Sequence, residues 1–138
     1  MRSVMGWPQF YGPKSKGAYA IPPLDGDPYA ENWSAMSRFE KVCWAWMETN
    51  EYLLGQIPEK SRFRLEDLVT SFDTTKNMLA GIKLDIDRES WRKIVTQPSR
   101  NANKSYTFPA WDDWDDSQKS CFIDICGSTM QKLGYRIE

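Results

Sequence analysis

Apolar positions in this chain recur mostly at helical spacing. Met36, Phe39, Cys43, Trp46, Met47, Leu54 and Ile57, with Asn50 between Met47 and Leu54, recur at steps of three and four. That spacing predicts a long amphipathic helix of about eight turns. Asp27 and Pro28 suit its N-cap and first helical position, and Gly55 and Pro58 mark its stop. Ser71 is placed to cap a second helix carrying Phe72, Leu79 and Ile82, with Gly81 near its end. Asp87 is placed to cap a third, whose apolar face is Trp91, Ile94 and Val95 and whose stop is Pro98. A fourth is predicted from about Asp115 to Leu133, through Phe122, Ile125, Cys126, Thr129 and Met130, with Gly134 just past its end.

"SRFRLEDL" breaks the helical period. Phe63 and Leu65 alternate with polar neighbours, which predicts one short strand over Arg62–Leu65. A lone strand leaves its backbone N–H and C=O groups without partners. A second strand must therefore lie in residues 1–28 or come from outside the chain. The expected fold is one domain, mainly α with one or two short strands. Residues 1–28 read as a loop-rich opening segment, with turns at Gly12-Pro13 and Pro22-Pro23, and 98–113 as a polar loop.

Composition narrows the functions open to such a fold. The chain has 138 residues and seven tryptophans, so its core is expected to be built on large rings. Eighteen basic and 19 acidic side chains give a net charge of -1, which argues against a dedicated nucleic-acid binder. No run reaches the roughly 20 apolar residues of a membrane span, and no signal segment opens the chain, so a cytoplasmic protein is expected. Cys43, Cys121 and Cys126 form no CxxC and each lies in an apolar helical pattern, which predicts buried thiols in a reducing compartment. The absence of histidine removes the usual general base, the usual zinc ligand and every Ser-His or Cys-His nucleophile pair.

The acidic clusters do not supply what histidine would have. Glu66 and Asp67 are adjacent, so neither a strand nor a helix aims both at one bond. At the start of a helix they instead complement the free N–H groups of its first turn. Asp112, Asp113, Asp115 and Asp116 surround Trp114 without the glycine and terminal glutamate of a calcium loop, and read as an acidic first turn with no metal. Glu48 and Glu51 lie on the long helix as ordinary polar-face residues.

Three stretches carry a family resemblance. "FRLEDLVTSFDTTKNMLAGIKL" resembles the sulfotransferase segment in which a strand ends in a Glu-Asp-Leu turn and a helix follows, with Leu65 where the family usually has an aromatic. "PAWDDWDDSQKSCFIDICGSTMQKLGY" is similar to the closing helix of carbohydrate-type sulfotransferases, and "RFEKVCWAWMETNEYLL" to the long helix before the strand. The resemblance covers about residues 33–135 and implies the C-terminal part of a P-loop-like α/β fold. It implies 3′-phosphoadenosine 5′-phosphosulfate as cofactor and transfer of its sulfuryl group to a hydroxyl or amine, of a carbohydrate or another small molecule.

By the same resemblance, "MRSVMGW" places Ser3 at the serine that binds the donor's 3′-phosphate. Arg100, with Asn101 and Lys104, falls in the loop that folds over that phosphate. The family's Arg-Lys-Gly form of the loop is absent. The lysine-bearing loop for the 5′-phosphosulfate is matched nowhere, and no catalytic base is assigned, so the chain alone is expected to be inactive. The alternative is a non-catalytic helical interaction module that self-associates through the unpaired strand and the aromatic N-terminal segment.

Overall fold

The computed structural model describes Met5, residues 10–12, 21–98 and 108–136. It divides into two compact units. Unit 1 joins Met1–Leu53 to Asn103–Glu138, and unit 2 is the segment between them, Leu54–Ala102. The protein is mainly helical: α1 is Arg38–Gln56, α2 Leu65–Thr70, α3 Phe72–Ala80, α4 Arg88–Val95 and α5 Asp116–Lys132. Short 3-10 turns cover Glu59–Ser61 and Trp111–Asp113. Among the described residues there is no strand.

In unit 1 the long helix begins ten residues later than the Asp27-Pro28 signal predicts. Residues 28–35 form successive turns, and α1 starts behind a capping box. The Ser37 hydroxyl accepts from the Glu40 N–H at 3.2 Å, and the Glu40 carboxylate accepts from the Ser37 N–H at 2.6 Å. Satisfying two end groups reciprocally is what fixes a helix start. Asp27 still binds locally, accepting from the Tyr29 N–H at 2.7 Å, but its second oxygen accepts from the indole N–H of Trp44 at 3.2 Å. It anchors a turn to α1 rather than opening a helix.

The core of unit 1 is aromatic. Phe39, Phe108, Trp111, Trp114 and Phe122 form a chain of ring contacts with centroids 5.2–5.9 Å apart, most of them edge-on. Edge-on pairs match the positive ring edge to the negative face and add about 0.5–1.5 kcal/mol each beyond burial. Met5, Val42, Cys43 and Cys126 complete the core. The buried Trp114 places its N–H on the Pro109 carbonyl at 3.0 Å, so its one polar atom is satisfied.

α5 follows its predicted bounds closely. Asp115 caps it in a box with Gln118, and Asp116 stands in its first turn. Among the described residues no group of three or more His, Cys, Asp or Glu is arranged to hold a metal ion. At the other end Gly134 takes φ 75°, the Tyr135 N–H donates to Met130 O at 3.0 Å, and the Gly134 N–H to Gln131 O at 2.9 Å. These two bonds are the Schellman pair that closes a helix.

In unit 2, residues 62–64 are extended but join no ladder, so the strand predicted over Arg62–Leu65 is not present. The alternation that suggested it has a different cause. Arg62 turns its guanidinium back onto the Leu54 carbonyl in the last turn of α1 at 2.6 Å and the Ile57 carbonyl just past it at 2.7 Å, supplying donors that a helix C-terminus lacks. Leu65 already belongs to α2. Ser71 closes α2 and caps α3, its hydroxyl accepting from the Thr74 N–H, as its sequence position predicts. Asp87 caps α4 through the Ser90 N–H at 2.8 Å. The Leu68 carbonyl collects Thr75 Oγ1 at 2.7 Å and the Trp91 N–H at 3.1 Å, which joins α2, α3 and α4.

Candidate functional site

Ser3 and Arg100, the two residues that the resemblance assigns to the donor phosphate, lie outside the described residues, as do Asn101 and Lys104. Glu66 and Asp67 sit in the first turn of α2. The Asp67 carboxylate is held two-pronged by Arg64, Nε to Oδ2 at 2.7 Å and Nη2 to Oδ1 at 2.8 Å. Those hydrogen bonds keep its carboxyl below the ordinary aspartate range. A carboxylate so engaged is a fixed anion.

Glu51 is likewise an anchor. It accepts from the Thr129 hydroxyl at 2.6 Å and from Lys132 Nζ at 2.8 and 2.9 Å, and Lys132, then Thr129, holds it below the usual glutamate range. Glu48 behaves oppositely. Burial, then the carboxylates of Asp27 and Glu51, push it up.

The motifs behind the family resemblance have local duties. Leu133-Gly134-Tyr135 is the stop of α5, which any helix ending with glycine at that position uses. Within Ile125-Cys126-Gly127, Cys126 is fully buried and its thiol donates to the Cys43 carbonyl of α1 at 3.4 Å. Glu66-Asp67 opens α2 with its Arg64 clamp.

A cleft of about 580 Å³ opens in unit 1. Tyr29, Asn32 and Met36 line it from the turns before α1, Glu40 from α1, and Cys121 and Asp124 from α5. Its described lining has two carboxylates and no lysine or arginine, so it lacks the donors an anionic phosphate or sulfate requires. The Cys121 thiol is pushed up to about 11, first by burial and then by the Glu40 carboxylate. Burial, helped by nearby thiols and carboxylates, also raises the Tyr29 phenol. Both groups are protonated at neutral pH, so neither is a ready nucleophile.

Unit 2 has the opposite character. None of its described residues is fully buried, although it contains Phe63, Leu65, Leu68, Val69, Phe72, Trp91 and Ile94. Leu65 is 69% exposed, Ile82 65%, Ile94 60% and Leu84 56%. Leu65 and Val69 are one turn apart on α2 and both face solvent. Periodicity marks Ile94 as an apolar-face position of α4, and the structure leaves it uncovered while Trp91 packs edge-on against Phe72 at 5.9 Å. The exposure is the signal that sequence spacing missed, because spacing shows which face is apolar and not whether anything covers it.

Compared with known proteins, the chain matches no family model, no curated protein and no solved structure.

Proposed function

We propose that this chain is a non-catalytic helical interaction module that associates with a second copy of itself through the apolar face of unit 2. The observation that carries this reading is the absence of a fully buried residue among the described part of unit 2, together with large apolar side chains left in water at Leu65, Ile82, Leu84 and Ile94. A segment of this size closes little core by itself, and burying such side chains against a partner gains about 25 cal/mol for each Å² covered.

A second copy fits the charge pattern. Arg64 pairs with Asp67, Lys93 with Glu89, and Arg88 and Lys76 face Asp73 and Asp85. A surface of interleaved opposite charges does not repel itself across a two-fold axis, and it does not offer the one-signed field that a nucleic acid or anionic lipid requires. The self-association expected through a strand edge shifts, in this reading, to helix side chains.

The sulfotransferase reading is a separate proposal that rests on the sequence resemblance alone. The two readings part in solution. Sedimentation over a range of concentrations is expected to show a reversible dimer. Leu65→Glu adds an acid to the first turn of α2, where the helix dipole favours it, so the fold is kept while the face is disrupted. Leu65→Glu and Ile94→Lys together are expected to weaken the dimer at least tenfold with unchanged helix content. A chain that stays monomeric at every concentration would sink the proposal.

A further inference from the structure

The cleft of unit 1 takes no part in the self-association proposed for unit 2, and its lining has a chemistry of its own. Its volume of about 580 Å³ lies in the range of small-molecule sites. All of its lining residues belong to unit 1. Cys121, Asp124 and Ile125 follow one another at helical steps on α5, so one stripe of that helix forms a wall. Glu40 comes from α1, and Tyr29 and Met36 from the stretch before it. Two carboxylates, one from each helix, thus share the cleft with an aromatic ring, a thioether and a branched aliphatic chain.

Neither carboxylate forms an ion pair with a described residue. Glu40 accepts from the Ser37 N–H at 2.6 Å, and Asp124 has the Ser120 hydroxyl at 3.5 Å. A backbone N–H and a distant hydroxyl bring no full positive charge. Glu51 in the same unit differs, because Lys132 neutralises it at 2.8 Å. The uncompensated charge is felt by the groups beside it. The Cys121 thiol is pushed up first by burial, then by Glu40, with Asp124 adding to the effect. The Tyr29 phenol is pushed up first by burial, and Asp124 is among the anionic neighbours that add to it.

We propose that this cleft binds a small aliphatic amine, with ammonium on Glu40 and Asp124 and its methylene stem against Tyr29, Met36 and Ile125. A primary ammonium has three donors and no acceptor, so it suits a lining of acceptors that holds no cation. The stem needs apolar cover, and each methylene taken out of water adds to the binding. The charge sets the sign of the ligand, and the mixed wall sets its shape.

Other cations fit the same lining less well. Calcium takes about six to eight oxygen ligands and magnesium demands a near-octahedral set. Among the described residues no three His, Cys, Asp or Glu side chains are arranged to begin one. A quaternary ammonium is held by a cage of several rings, and the cleft lining supplies one, Tyr29.

The test titrates the full chain with 1,4-diaminobutane by calorimetry at low ionic strength, with succinate, butan-1-ol and magnesium chloride as comparison probes. Expected is saturable binding of the amine with a Kd at or below about 1 mM, and none of succinate or butan-1-ol. Glu40→Gln keeps an acceptor for the Ser37 N–H, so the start of α1 is preserved. It is expected to weaken binding about fivefold, and the more exposed Asp124→Asn about threefold. Glu59→Gln, which removes an acid of unit 2, is expected to leave binding unchanged. Amide shifts of the wild-type chain map the site directly, so the outcome does not depend on a variant that misfolds. Those shifts are expected at Glu40, Cys121 and Asp124. No saturation by about 10 mM amine, shifts confined to other residues, equal weakening in Glu59→Gln, binding of succinate, or displacement of the amine by magnesium at matched ionic strength would each overturn the proposal.

Discussion

The hydroxyl of Thr129 donates to the Glu51 carboxylate at 2.6 Å, across 78 positions of sequence. Thr129 is fully buried, and Lys132 one turn later holds the same carboxylate from its exposed side. This junction fixes the register of α5 against α1.

Replacing Thr129 with valine keeps the shape and removes the donor. Because Glu51 retains Lys132 and part of its hydration, no charge is left buried and alone, and the expected loss is about 1 kcal/mol in chemical denaturation. A loss beyond about 3 kcal/mol would mean that the hydroxyl is holding more than this one bond.

The same carboxylate sets a pH dependence. Lys132 and Thr129 hold its folded-state value below the ordinary one, so as pH falls the unfolded chain takes up the proton first. The stabilisation is whole above the usual glutamate value of about 4.3 and drains away as pH falls through the lower, folded value. Comparing wild type with Glu51→Gln across that window is expected to show the variant less stable near neutrality and the gap closing in acid. A gap constant with pH would contradict it.

Two helices end in the same motif with different residues at its left-handed position. Gly134 occupies it after α5, and Lys83 occupies it after α3 with φ 61°. There the Leu84 N–H reaches Leu79 O at 2.9 Å and the Lys83 N–H reaches Ala80 O at 3.0 Å. The left-handed region costs a side-chain-bearing residue about 1–2 kcal/mol, part of which glycine returns through its freer unfolded state. Lys83→Gly is therefore expected to stabilise by about 0.5–1 kcal/mol and Gly134→Ala to destabilise by about as much. Equal signs in thermal denaturation would refute the motif assignment at one of the two ends.

Ser37→Ala removes one half of the capping box that starts α1 and is expected to cost about 1 kcal/mol. Loss of helix content confined to the first turn, seen by amide exchange, is the companion readout. An unchanged stability would return the helix start to Pro28.

The donor nucleotide discriminates the sulfotransferase proposal. Millimolar 3′-phosphoadenosine 5′-phosphate is expected to leave the Tm unchanged, and Ser3→Ala to leave stability unchanged, since one hydroxyl supplies only about 1.5–3 kcal/mol to a charged acceptor. A saturable rise in Tm that Arg100→Ala abolishes would support the donor site instead.

The sequence by itself determined the elements that depend on near neighbours. Helical spacing located α3, α4 and α5, and Ser71, Asp87, Asp115 and Gly134 marked their ends, because caps and periods act within a few residues along one helix. The missing histidine and the mutually apolar settings of the cysteines were equally local facts. Even some local signals competed. Asp27-Pro28 and Ser37 to Glu40 both resemble helix starts, and the reciprocal hydrogen bonds decided for the second.

Tertiary structure alone decided whatever depends on distant segments. Extended residues 62–64 are a strand only if another strand pairs with them, and Arg62 turning to the end of α1 took that role away. Trp91 and Ile94 are equivalent on the apolar face of α4, yet Phe72 and the Leu68 carbonyl meet one and leave the other in water. Cys43 and Cys126 stand far apart in the chain, and the thiol of one meets the backbone carbonyl of the other because α1 and α5 pack. Periodicity identifies a face, but only the neighbouring element, supplied by remote sequence, determines what that face meets.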